Sequence, residues 1–151
     1  MAFDDVGPLR EILQRALARY LTVKPAGFQL VDGGRLHEQI DARILGFGGA
    51  RTLYRNHKPA CRSLDGIRPL YDERLTCADC RSHAGCTPQV RVDLMVDGRP
   101  FRLLLAHTSA KNFLAYGALL RQRAGSLERV VHRLRIVDRG TWGEIRFTTW
   151  D

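Results

Sequence analysis

Lysine is nearly missing from this chain. Lys24, Lys58 and Lys111 are the only three among 24 basic residues, so arginine carries the positive charge. Long apolar runs are missing too. The longest, Leu103 to Ala106, falls far short of the ~20 residues that a membrane-spanning helix needs. The start, Met1-Ala2-Phe3-Asp4-Asp5, is acidic where a secretory signal would be basic, and no small-residue cleavage site follows an apolar core. These absences point to a cytoplasmic protein without membrane partners. Catalytic signatures are also lacking. Gly46-x-Gly48-Gly49 is not followed by the Lys-Ser/Thr of a phosphate loop. His37-Glu38 lacks the H-x-E spacing that a zinc deaminase sets ahead of its C-x-x-C. Asn56-His57 with Asp65 has no second histidine or carboxylate motif to complete a nuclease, so the chain is expected not to be an enzyme.

What is present is charge and a cysteine cluster. Lys+Arg outnumber Asp+Glu by 24 to 16, for a net charge of +8 and a pI near 9.9. A basic balance of this size is an electrostatic footprint for a polyanion, and the arginine fork binds two phosphate oxygens at once and stacks on bases. GC-rich coding also enriches arginine, so charge alone decides nothing. The four cysteines, Cys61, Cys77, Cys80 and Cys86, read C-x15-C-x2-C-x5-C. Cys77-Ala-Asp-Cys80 is a metal knuckle, in which one tight turn presents two thiolates to one ion, and Cys61 and Cys86 would complete a tetrahedron. Four ligands make a closed structural zinc site with no open position for catalysis. Iron–sulfur ligation, disulfides and free thiols are the alternatives; a cytosolic setting favours metal over disulfide.

At 151 residues the chain is most simply one domain. Its hydrophobic fraction of 44% and mean hydropathy of −0.25 are ordinary for a globular protein. Helical spacing of Leu9, Ile12, Leu13, Ala16, Leu17, Tyr20 and Leu21 predicts an N-terminal helix within residues 1–26, stopped by Pro25 and Gly27. Leu36 to Phe47 alternate loosely, punctuated by glycines, and Arg51 to Arg55 form a short strand. Beyond the cysteine module, placed over 57–88, Val90 to Val96 and Phe101 to Leu105 form a hairpin about Asp97-Gly98. Thr108-Ser109 should cap a helix running to about Arg123. Val130 to Ile136 and Ile145 to Thr149 close the chain as a second hairpin. This order predicts a mainly β fold with some helix (α+β): an OB-like antiparallel Greek-key barrel over 36–150 with an inserted zinc module. Six strands are expected where an OB barrel has five, which two halves of one bent strand would reconcile.

Single-strand binding needs aromatics for stacking and a basic track for phosphates. The densest mixture is Arg51, Tyr54, Arg55 and Lys58, running into Arg62. On a strand Arg51, Leu53 and Arg55 share one face while Thr52 and Tyr54 share the other. Arg133, Arg135 and Arg146 form a second basic stripe on the last hairpin, although a solvated sheet face is the plainer reading of all these charges. Trp142 suits stacking or packing. Phe101, Phe113 and Tyr116 read as core, and His37, His107 and His132 as structural. His57 and His83 stay outside the metal shell because four cysteines already satisfy an ion.

Several of these motifs together resemble a family. They are Pro59-Ala60-Cys61-Arg62-Ser63-Leu64-Asp65-Gly66, the knuckle Cys77 to Cys80 with Cys86, Leu103-Leu104-Leu105-Ala106-His107-Thr108-Ser109, and Asn112-Phe113 with Tyr116. In that pattern the chain is similar to small zinc-containing, OB-like single-stranded DNA-binding or replication-associated proteins of bacteriophages and mobile elements. The likeness spans about residues 36–150, and Arg81 stands where such proteins often have a proline. The resemblance implies a zinc-containing OB-like fold that holds single-stranded nucleic acid; charge, strand order and the cysteine cluster together point to binding with little sequence preference. The competing reading is an adaptor, in which the zinc module and the N-terminal helix dock onto a larger nucleoprotein assembly.

Overall fold

The computed structural model describes residues 19–70, 76–123, 127 and 129–149. One strand organises it. β5 (Gln39–Arg55) is long enough to serve as the spine of the molecule, and it exchanges partners along its length. Its first half pairs with β9 (Val131–Asp138), its second half with β6 (Lys58–Ser63), and its other edge with β7 (Thr87–Val96). Arg43 is paired with both Met95 and Val131, and Thr52 with both Arg62 and Thr87. β9 and β6 therefore follow one another along the same edge. The two strands expected over 36–47 and 51–55 are thus parts of one strand. The glycine run bends it without ending it: the register slips between Ile44 and Gly46, as a β-bulge makes it do.

β7 continues into β8 (Arg99–Leu105) through Asp97-Gly98, both at positive φ (50° and 74°) as a two-residue type I′ hairpin requires. β9 and β10 (Gly143–Thr149) form the closing hairpin. With β1 (Arg19–Tyr20) lying parallel to β8, the main sheet runs β1-β8-β7-β5-β9-β10, and β6 adds to β5. A small second sheet comprises β2 (Thr22–Lys24), β3 (Gly27–Gln29) and β4 (Leu36–His37). The molecule is mainly β, with one α-helix among the described residues: α1, His107–Gln122.

Two expectations need correction. The sheet is not a closed barrel: among the described residues β8 pairs with β7 and β1, and β10 with β9, so β8 and β10 are not paired. Of the N-terminal helix, residues 1–18 lie outside the described residues, but Arg19–Tyr20 and Thr22–Lys24 are strands. The reason is tertiary. Leu21 is buried and its N–H donates to the Arg102 carbonyl at 2.8 Å, so this stretch adds to the β8 edge instead of continuing a helix.

Alternation sets the core. Ile44 opposes Leu94, Leu94 opposes Phe101, Val92 opposes Leu103, and Leu134 opposes Phe147, all on the inner face. α1 lays Phe113 into this layer, with its ring edge-on to Phe47 and Phe147 at 5.3 Å from each. Burial of Phe101 and Phe113 agrees with their reading as core. α1 begins without a side-chain cap at Ala106. Ser109, expected at the cap, instead accepts the Ile145 N–H at 3.0 Å and ties the helix to β10. Asn112 reinforces the tie by donating to Glu144 and to the Ile145 carbonyl. Arg146 and then Arg139 donate to Glu144, holding its carboxyl below the usual range despite its burial. Beside them His132 is fully buried, bonded to the Tyr116 hydroxyl at 2.5 Å and to the Leu127 carbonyl at 2.6 Å.

Candidate nucleic-acid interface and cysteine cluster

The β5–β6 hairpin places most of the first candidate group. Asn56 and His57 turn it with φ of 52° and 63°, the left-handed pair of a type I′ turn. Strand alternation then sends the candidates to opposite sides, with a register shift between Leu53 and Tyr54. On one side the Arg51 guanidinium donates to the His83 carbonyl at 3.3 Å, while Leu53 and Arg55 line a cavity of about 270 Å³ with Cys61, Cys80 and Cys86. On the other side Thr52 donates to Gln89 at 2.6 Å, and Gln89 donates to the Tyr54 hydroxyl at 3.2 Å. Tyr54 is 43% exposed and lines a polar cleft with Asn56, His57, Thr87, Gln89, Ala106 and His107. Arg51 and Arg55 therefore do not share a surface with Tyr54. Lys58 opposes Arg55 at the hairpin end and is exposed.

Arg62 belongs to a third place. Its guanidinium lies over the Tyr20 ring at 4.3 Å, and Arg102 approaches the same ring at 5.8 Å. Nearby, buried Asp93 pairs with Arg91 at 3.3 Å and Arg102 at 3.7 Å. Arg91 also donates to the Leu64 carbonyl, which holds the start of the cysteine module against the sheet. The turn that follows is set by Asp65. Its carboxylate accepts from the N–H groups of Arg68 and Ile67 and from the Ser63 hydroxyl, and those bonds lower its pKa. The Ser-x-Asp-Gly stretch is thus a loop organiser.

The second arginine stripe does share one face. Arg135 stands directly opposite Arg146 across β9–β10, and Arg133 opposite Thr148. Like charges so paired are unfavourable. Partners offset part of this: Arg146 bonds Glu144 at 2.7 Å and Arg133 bonds Asp41 at 3.1 Å. Arg135 is exposed and has no acidic partner among the described residues. The stripe faces Gln39 and Asp41 at one end of β5, whereas Arg51 and Arg55 lie near the other. Asp41 and Arg51, the nearest members, are ten residues apart, so at ~3.3 Å per residue the two groups are at least about 33 Å apart along the strand.

The four cysteines come from three local structures. Cys61 is on β6, opposite Leu53. Cys77 opens a 3₁₀ turn over Cys77–Asp79 that Thr76 caps through the Asp79 N–H, and Cys80 follows with its N–H on the Cys77 carbonyl at 3.2 Å. A second turn, His83–Gly85, leads to Cys86. They form no disulfide. The Cys61 thiol is pushed up first by burial, then by Cys86, Cys80 and Cys77, so those three lie within electrostatic reach of Cys61. That donor set has the chemistry of a thiolate metal site. Even so, among the described residues no group of three or more His, Cys, Asp or Glu side chains has metal-holding geometry.

Two candidate contacts were not singled out by the sequence: Tyr20, hidden in a helical pattern, and His107, which reads as an isolated histidine. No helix among the described residues is long and apolar enough to cross a membrane. No family model, curated protein or solved structure matches the chain.

Proposed function

We propose that this protein is a non-catalytic binder of single-stranded nucleic acid, DNA by its resemblance, with little sequence preference. The observation that carries this reading is the face shared by Arg133, Arg135 and Arg146, where a sheet keeps like charges opposed in a chain of net charge +8. A polyanion relieves that repulsion, and arginine is the side chain suited to phosphate. The strand order β8-β7-β5-β9-β10, with a helix between β8 and β9, supports an OB-like frame open along one seam, the kind of fold that carries oligonucleotides. Zinc bound by Cys61, Cys77, Cys80 and Cys86 would draw the four thiols together and stiffen residues 57–88 as a structural clamp. The non-catalytic part of the reading is supported by the state of four carboxylates on the sheet and the cysteine module. Asp41, Asp65, Asp93 and Glu144 are all engaged with arginines or backbone N–H groups.

The test is anisotropy of a labelled dT oligomer titrated with protein at two salt concentrations. Binding should weaken with salt by a log–log slope of about −0.7 per phosphate neutralised, and Arg135→Glu should flatten that slope. Absence of micromolar binding at low salt would sink the reading. The adaptor reading is favoured by one feature, the exposure of Ile67 and Leu70 on the cysteine module. A stoichiometric protein partner with no oligonucleotide binding is the result that would select it.

A further inference from the structure

The open seam of the sheet contains a cleft. Where β8 and β10 fail to pair, Leu104, Leu105, Ile145 and Val23 line a mainly apolar cavity of about 380 Å³. That volume lies in the range of small-ligand sites. Trp142, on the β9–β10 loop, also lines it and is 44% exposed. The backbone of its loop is held in place: the Arg139 N–H donates to the Trp142 carbonyl at 2.9 Å, and the Asp138 carboxylate accepts the Gly140 N–H at 2.8 Å. Placing a large ring on a fixed loop over an apolar cleft leaves a stacking surface ready-made.

The neighbouring cleft is the polar one beside Tyr54, of about 720 Å³. Ala106 and His107 line both, so the two halves adjoin at the start of α1. Each half has one exposed aromatic. The polar half adds the side chains of Asn56, His57 and Gln89, which can donate and accept hydrogen bonds. Apolar faces flanked by polar edges are the signature of a nucleobase, and a charge of +8 favours bases that arrive on a phosphate chain.

We infer that a single strand crosses this end of the sheet over His107, with one base stacked on Trp142 in the apolar cleft and its neighbour beside Tyr54. The inference rests on the nucleic-acid reading above and specifies where the strand lies. It adds Trp142 and His107 to the contacts.

The chain has two tryptophans, so Trp150→Phe leaves Trp142 as the sole indole. That variant is titrated with a dT oligomer while its fluorescence, its acrylamide accessibility and the anisotropy of the labelled strand are followed together. Quenching and shielding of Trp142 should track the anisotropy curve. In the otherwise native chain Trp142→Ala should weaken binding roughly 5- to 150-fold, the range conferred by one stacked base. If anisotropy reports binding while Trp142→Ala binds within twofold of the parent, the strand lies elsewhere: the inference fails and the binding reading stands. If Trp142→Ala does not fold, unchanged acrylamide accessibility of Trp142 in the bound state overturns the inference by itself. No anisotropy change at low salt overturns both.

Discussion

The buried histidine in β9 makes stability depend on pH in a calculable way. The Leu127 carbonyl can only accept, so His132 Nε2 carries the hydrogen and Nδ1 is left to accept from the Tyr116 hydroxyl. A second proton would place a charge in a site with no solvent contact. Burial accordingly lowers the His132 pKa below 6.5, opposed only by the Leu127 bond. Below that value the unfolded chain binds a proton that the folded chain refuses. The contribution is therefore complete above about pH 6.5 and is lost as pH falls through the window beneath it. At pH 5.5 the loss reaches up to about 1.4 kcal/mol, the worth of one pH unit. For a denaturant slope of ~2 kcal/mol/M this lowers the urea midpoint by up to about 0.7 M relative to pH 7.5. His132→Phe should remove this share of the pH dependence. It should also destabilise the protein at both pH values, because the Tyr116 hydroxyl and the Leu127 carbonyl each lose a partner at about 1–3 kcal/mol. Urea unfolding followed by circular dichroism at pH 5.5 and 7.5 measures both effects. If the midpoint of the parent protein shifts with pH no more than that of His132→Phe, the reasoning is wrong.

Protein produced with zinc available should release one equivalent to a colorimetric chelator. Chelation or Cys80→Ser should then raise hydrogen exchange across residues 57–88 before the strands melt; release of no metal refutes the clamp. Gly143→Ala should cost about 1–3 kcal/mol, because its Cβ would stand 2.8 Å from the Lys24 carbonyl, which is backbone and cannot swing aside. An unchanged urea midpoint for that variant would show that β2 does not press against the start of β10.

Local signals were legible wherever neighbours in sequence are neighbours in space. The β7–β8 hairpin follows from strict alternation about Asp97-Gly98, and α1 and the closing hairpin fall within a few residues of where their patterns put them. Alternation also separates Arg51, Leu53 and Arg55 from Thr52 and Tyr54, as the cavities on either side reflect. What escaped is non-local. Residues 19–24 carry a helical period, yet β8 offers a free edge that only the folded sheet reveals. Glycines in β5 read as an interruption because a bend and a break look alike until both partner strands are known. The seam beneath Trp142 was invisible for the same reason: its walls come from β2, β8, α1 and β10, and no local pattern records that two strands fail to pair.

Thr52 sits on a rung with Arg62 on one edge and Thr87 on the other. Strands neighbour one another at ~4.8 Å, so the points where the chain departs for the cysteine loops and returns are about 10 Å apart. Three or four extended residues bridge that gap. The stretch 64–86 is therefore a cassette whose length the frame does not dictate, since loop-closure entropy changes only slowly with length. The same sheet can carry a longer insertion, a shorter one, or a simple turn at this rung while every register around it stays as it is.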